Sequence, residues 1–262
     1  MKKLTYILLA FASFFAACEK GTLVETTDYE KVAVGDPKYS YIKILNLTPS
    51  SPVLNFFMDG AKFSANQSTT GLPSTGYAYN GLFPDLGYAV TTPGSKVLSA
   101  NIIPTATADA NLEVLKQTIN ASAGKYYTIF TTGVYSTTTK NIPSVFVLED
   151  VKPALDTSKV FVRIVNLYNG SPNLDVVRIS TGVKLASNVA YGTASPFTEI
   201  PNPGSGIAPS NVFRVDNAAT GVAIIPTTTY ALSKGRAYTI YYRGILGNTS
   251  FPLAAGFYTT FY

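Results

Sequence analysis

Tyr41-Ile42-Lys43-Ile44-Leu45-Asn46-Leu47 returns 120 positions later as Phe161-Val162-Arg163-Ile164-Val165-Asn166-Leu167. The correspondence runs ungapped for 16 positions, with Ser51-Pro52 matching Ser171-Pro172 and Leu54-Asn55 matching Leu174-Asp175. A second block closes each copy. Gly124-Lys125-Tyr126-Tyr127-Thr128-Ile129-Phe130 answers Gly235-Arg236-Ala237-Tyr238-Thr239-Ile240-Tyr241, and Gly133 answers Gly244. Between the blocks, Pro93-Gly94-Ser95 aligns with Pro203-Gly204-Ser205. Self-similarity over such a spacing means a duplicated structural unit. Each unit has about 100 residues, the size of an immunoglobulin-like sandwich.

Alternation inside the repeated block is that of a β-strand. Ile42, Ile44 and Asn46 fall on one face and Tyr41, Lys43 and Leu45 on the other, and the copy keeps both sets in phase. An apolar face backed by long amphipathic side chains predicts a sheet with one face in a core and the other in water. After the Ser-Pro turn a second strand follows, Val53 to Met58 and Leu174 to Ile179. Asp59-Gly60 then suits a tight hairpin, and Ser180-Thr181-Gly182 a slightly longer turn. Ser144 to Asp150 reads as an aliphatic strand with an acidic end, and Phe257 to Tyr262 as a closing strand. With 20 Gly and 16 Pro as punctuation, 46% hydrophobic residues and only 13% charged ones, the composition is that of many short strands joined by turns. The one segment with helical character is Asp109 to Leu115.

The opening strand with Asn-Leu, the Ser-Pro turn and the Leu-Asn or Leu-Asp strand resemble a family of bacterial secreted and lipoprotein domains, the domain of unknown function 4397 family. The resemblance covers about residues 38 to 262 and implies tandem β-sandwiches. It brings no catalytic signature. Where family members often carry a His near the Ser-Pro turn, this chain has Asn46-Leu47 and Asn166-Leu167.

The N-terminus supplies an address. Lys2 and Lys3 precede 14 uncharged, mostly apolar residues, Leu4 to Ala17, a stretch too short to span a bilayer and suited to a signal peptide. Phe15-Ala16-Ala17-Cys18 resembles a bacterial lipobox, in which small residues precede a Cys that is acylated and becomes the new N-terminus; Phe15 departs from the usual Leu. Cys18 is the only cysteine, so the expectation is lipid attachment there and no internal disulfide. Glu19 after the cysteine favours the outer membrane, with the periplasmic face and the cell surface both open. The resulting division is a signal peptide (1–17), lipidated Cys18 with a flexible tether (18–37), a first β-sandwich (38–150), a linker (151–158) and a second β-sandwich (159–262).

The chemistry is defined mostly by what is missing. There is no His, which removes Ser-His and Cys-His catalysis and imidazole metal sites. With the lone Cys committed to lipid, no metal site and no cofactor are expected. Of 20 basic residues Lys2 and Lys3 leave with the signal, so 18 face 15 acids, a balance of +3. No two of those 18 are adjacent, which argues against nucleic acid as a partner. A carboxylate pair for glycoside hydrolysis would need two acids facing one cleft. Glu149 and Asp150 are neighbours on a strand and point to opposite faces, and a solvated strand end is the favoured reading. Asp59 and Asp85 suit turns. Asn46 and Asn166, like Asn55 and Asp175, occupy matching places; a shared turn-capping role is preferred over a paired ligand site. Tyr77, Tyr79, Phe83 and Tyr88 offer either a glycan-stacking platform or, as favoured, packing. The expectation is an all-β, non-catalytic envelope lipoprotein that serves as a binding, adhesion or scaffold module. Its partners are a membrane through the lipid and a polysaccharide or protein ligand. The alternatives are a carbohydrate-active enzyme or accessory glycan-binding component, and a structural subunit of a surface complex.

Overall fold

The first repeated block forms β1 (Ser40–Asn46) and its echo forms β10 (Lys159–Asn169), each at the middle of a sheet. A computed structural model describes residues 31–65, 75–201 and 211–262. Cys18, the signal segment and Pro203-Gly204-Ser205 lie outside these residues. The described residues contain no α-helix, and all their strands fall within the compact unit Gly35–Tyr262.

β1 pairs parallel with β8 (Tyr126–Thr132), from Tyr41↔Tyr126 to Asn46↔Thr131. On its other edge lie β4 (Leu82–Phe83) and β5 (Ala89–Thr91), and β9 (Ser144–Glu149) extends the sheet beyond β8. A second sheet has the order β3-β2-β6-β7, from β2 (Leu54–Met58), β3 (Ala61–Lys62), β6 (Gly94–Ile102) and β7 (Glu113–Ala121). The β2–β3 turn uses Asp59 and Gly60 at φ 51° and 82°, the left-handed pair a two-residue hairpin requires.

The second half repeats this plan. β10 pairs parallel with β17 (Ala237–Ile245), flanked by β13 (Thr193–Ala194), β14 (Thr198–Pro201) and β18 (Ala254–Phe261). Its companion sheet runs β12-β11-β15-β16, from β11 (Leu174–Arg178), β12 (Lys184–Val189), β15 (Val212–Asn217) and β16 (Ala223–Thr229). The fold is therefore two tandem β-sandwiches. Ile42, Ile44, Leu54, Phe56, Leu98 and Ile129 fill the first core. Val162, Ile164, Leu174, Val176, Phe213 and Ile240 fill the second.

Two expectations about the strands fail. The outward face of β1 and β10 is not in water: Tyr41, Lys43, Leu45, Phe161, Arg163 and Val165 are all buried. The two central sheets pack face to face, so Leu45, Leu47 and Phe130 of the first sandwich share one cluster with Val165, Leu167, Tyr241 and Tyr258 of the second. The matched pairs Leu45 and Val165, Leu47 and Leu167, and Phe130 and Tyr241 sit on both sides of this seam. It is thus built like the isologous interface of a two-fold dimer, within one chain. Nor is Asp109 to Leu115 helical. Asp109 and Asn111 adopt positive φ (54° and 65°) in a turn, and Glu113 onward joins β7, paired with β6. Long-range pairing overrides a weak local preference there.

Candidate functional site

Strand direction gives the molecule two ends. β1, β8, β10 and β17 all start at the end where the chain enters the sandwiches, the near end, and finish at the far end. Tyr88, Tyr126, Phe161 and Phe261 gather near the first end, and Leu47 and Leu167 near the second, so the halves stand side by side with matching polarity.

Asn46 and Asn166 close the far ends of the central strands. Asn46 Nδ2 donates to Ser51 Oγ (2.9 Å) and to Tyr77 O (3.1 Å), while its Oδ1 accepts from Thr131 Oγ1 (3.0 Å). Asn166 Nδ2 donates to Ser171 Oγ and Val189 O, both at 3.0 Å, and its Oδ1 accepts from the Tyr168 N–H (3.1 Å). Both side chains are fully buried and tie the turn that follows to neighbouring segments of the same sandwich. Of the other matched pair, Asn55 leaves its Oδ1 without a partner, whereas Asp175 holds Lys184 at 2.5 Å and the Asn188 N–H at 2.8 Å.

The acidic pair at the end of β9 divides. Glu149 is exposed and bridges Lys125 at 2.9 Å. Asp150 is not a solvated strand end: it is buried in the seam. Its Oδ1 accepts from Arg163 Nη2, and its Oδ2 accepts from Tyr88 Oη (2.7 Å) and Thr128 Oγ1 (2.6 Å). Arg163 Nε donates to Thr239 Oγ1 (2.8 Å), and Tyr258 Oη donates to Thr128 Oγ1 (3.0 Å). Asp150 and Thr128 belong to the first sandwich, Arg163, Thr239 and Tyr258 to the second. The network therefore stitches the halves together and satisfies the carboxylate, as a buried charge demands. Burial, followed by the neighbouring Asp150 charge, pushes the Tyr88 phenol far above its ordinary range and keeps it a donor.

Lys43, the counterpart of Arg163, is placed differently. Its Nζ donates to Pro84 O (2.8 Å) and lies 5.3 Å from the Tyr88 ring centre and 5.6 Å from that of Tyr258. Burial lowers its pKa to about 8, against the opposing pull of Asp150 and Asp85. The seam thus holds two buried cations, Lys43 and Arg163, and one buried carboxylate, Asp150.

The aromatic stretch is largely consumed by packing. Tyr77 and Phe83 lie in the first core, and Tyr88 lies in the seam. Tyr79 reaches the second sandwich, where the Arg243 guanidinium covers its ring at 4.8 Å and Phe251 meets it edge-on at 5.5 Å. The neighbouring Asn80 Oδ1 accepts from Tyr241 Oη (2.8 Å).

Charge separates between the ends. Among the described residues, the near-end connections carry Asp36, Lys38, Asp85, Lys125, Asp150, Lys152, Asp156, Lys234 and Arg236. The far-end connections (47–53, 75–81, 103–112, 133–143, 170–173, 190–192, 218–222 and 246–253) carry only Asp109 and Lys140, bridged to each other at 2.5 Å. The far-end connections therefore carry no net charge and mix Ser, Thr, Asn, Gly and Tyr with small and apolar residues.

One constellation at that end spans both halves, and of its members the sequence repeat marks only Gly133 and Gly244. Tyr191 Oη donates to Asn169 Oδ1 (2.8 Å) and accepts from the Gly133 N–H (3.2 Å). Asn169 Nδ2 donates to Gly133 O (3.4 Å) and Gly244 O (3.3 Å), and the Leu246 N–H donates to Asn169 O (2.9 Å). Gly133 sits at φ 83°, and a Cβ there would come within 2.8 Å of the Pro143 ring. Only the repetition of Ala-Tyr in Ala78-Tyr79 and Ala190-Tyr191 could have drawn attention to the second tyrosine.

Two of the concavities among the described residues lie on the flanks. One of about 370 Å³ lies between Lys184–Val189 and Thr193–Thr198, and one of about 320 Å³ between Glu113–Gln117 and Asn141–Pro143. Neither brings two carboxylates together. Among the described residues no group of three or more Asp, Glu, His or Cys could hold a metal ion.

Twin β-sandwiches joined through a sealed polar seam define the class of this molecule. The chain belongs to the family described as Domain of unknown function (DUF4397), whose model matches residues 40–177, more than half of the 262. The match takes in the first sandwich and runs through β10 into β11. No curated protein matches the chain. A crystal structure of a candidate cell adhesion protein from Bacteroides fragilis NCTC 9343 is 8% identical over 82% of this chain and 97% of its own, with a TM-score of 0.19. A candidate cell adhesion protein from Bacteroides ovatus ATCC 8483 is 13% identical over 84% and 98%, with a TM-score of 0.16. Likeness at these scores carries no argument about function.

Proposed function

We propose that this protein is a lipid-anchored envelope protein, tethered through Cys18 to the outer membrane, whose paired sandwiches form a non-catalytic binding, adhesion or scaffold module. In this reading the second sandwich is a second copy of the family's domain. The observation that carries it is the polarity of the molecule. The chain enters at Gly35 on the charged near end, so a tether running from Cys18 would hold that end toward the lipid and direct the neutral far end away from it. Acidic groups that could serve catalysis are spent on structure: Asp150 on Arg163, Glu149 on Lys125, Asp175 on Lys184.

Metabolic labelling with a palmitate analogue, followed by mass measurement of the mature N-terminus, tests the anchor. Label is expected on Cys18, and Cys18→Ser is expected to move the protein from the membrane to the soluble fraction. That redistribution follows because stable anchoring takes two or more buried acyl chains. An unmodified thiol on the mature protein would remove the anchor from the reading.

A further inference from the structure

We propose that the far-end patch around Asn169, formed by Tyr191, Leu246 and Val134, is a stacking site for an uncharged polysaccharide. This rests on the binding-module reading above and names the ligand class and the site. Val134, Tyr191 and Leu246 are 37%, 38% and 54% exposed, three large apolar side chains left in contact with water at one place. Bonds at Asn169 and Tyr191 hold together the backbone that carries them, joining Gly133, next to Val134, to Tyr191, Gly244 and Leu246 of the second sandwich.

The geometry suits a saccharide. Tyr191 has its hydroxyl held by Asn169, Gly133 and Thr132, so its ring is oriented before any ligand arrives and little rotamer entropy remains to be lost. A fixed aromatic ring beside aliphatic side chains matches the C–H face of a pyranose. The sugar's hydroxyl edge would meet the Asn248-Thr249-Ser250 and Thr137-Thr138-Thr139 loops, which supply amide and hydroxyl groups and no charge. Electrostatic complementarity decides between polymers. Among the described residues the far-end connections carry one cation, Lys140, bridged to Asp109, and Arg243 near the end of β17 lies against the Tyr79 ring, so an anionic chain would meet no cluster of cations there. The tyrosine of the first sandwich, Tyr79, is closed by Arg243 and Phe251, whereas the position matching Arg243 is Thr132, which reaches the Tyr191 hydroxyl and leaves the side chain partly exposed.

Affinity electrophoresis of the full chain in detergent, through gels containing dextran, mannan or laminarin against gels containing alginate or heparin, tests this. Retardation is expected with at least one neutral polysaccharide and to survive high salt. Tyr191→Ala is expected to weaken it about tenfold. Tyr191→Phe keeps the ring but frees it, and is expected to weaken binding by about threefold. Leu246→Ala gives a second exposed variant that leaves the hydrogen bonds intact, and a near-end double variant, Lys234→Ala with Arg236→Ala, is expected to bind normally. Failure of every neutral polysaccharide to retard the chain overturns the proposal. So does retardation that Tyr191→Ala and Leu246→Ala leave unchanged, or a protein ligand whose binding Tyr191→Ala abolishes. Salt-sensitive binding of alginate or heparin lost in the near-end variant would also overturn it, while leaving the binding-module reading intact. Release of shortened sugars from the polymer would sink that reading instead.

Discussion

Lys43 is the residue whose placement departs furthest from its type, since lysine is almost never fully buried without a charged partner. The groups that face it are Tyr88, Asp85, Asp150 and Tyr258, with Arg163 bonded to Asp150 beside it. Its folded pKa of about 8 lies below the value of an unfolded lysine, so the sign of its effect on stability is fixed. Below pH 8 both states hold the proton and burial of the charge weakens the fold. Between pH 8 and about 10 the folded state has released it while the unfolded chain has not, so stability rises with pH, by up to about 3 kcal/mol from this one group. Above pH 10 the buried phenols act oppositely. Tyr241 and Tyr230, raised by burial to about 12, keep protons that the unfolded chain loses. Urea unfolding at pH 7, 8, 9 and 10 is therefore expected to show a rise in the native protein that Lys43→Met lacks. Parallel curves for the two proteins would refute the assignment.

At the scale of the strand, half of the pattern was readable. The inward sets Ile42, Ile44 and Val162, Ile164 declared themselves by alternation, and the Asp59-Gly60 turn by its chemistry. The outward sets did not, because Lys43 and Arg163 look like solvent-facing residues until a partner surface is known. That partner is the same face of the other copy. The Tyr191 constellation was hidden for a related reason: its hydroxyl meets Gly133, which lies in the other sandwich. Asp150 was misplaced as solvated because the residue that satisfies it, Arg163, sits across the seam. Since both faces of β10 are buried, Val165→Asp is expected to destabilise the protein by more than about 3 kcal/mol in chemical denaturation. An equally drastic change at exposed Leu86, Leu86→Asp, is expected to cost under about 0.5 kcal/mol. A mild effect at Val165 would mean that the seam opens freely.

At the scale of the whole molecule the seam makes two sandwiches into one thermodynamic body. Parting them would expose Leu45, Leu47, Phe130, Val165, Leu167 and Tyr241 and strip Asp150 from Arg163, so neither half should unfold alone. A single urea transition, coincident by far-ultraviolet circular dichroism and tyrosine fluorescence, is the expected result. Two separated transitions would show independent halves. The parallel pairing at the centre of each sandwich has a further consequence, for assembly. A parallel neighbour cannot be supplied by a short turn. Tyr41 waits for Tyr126, and Phe161 for Ala237, before either opening strand gains its central partner. Of the described strands β1 is the first to emerge, and its outward face is covered only when β10, β17 and β18 arrive. Such non-local closure is slow and leaves apolar edges bare meanwhile. A nascent chain of this design is expected to need shielding in transit until the second sandwich has arrived to cover that face.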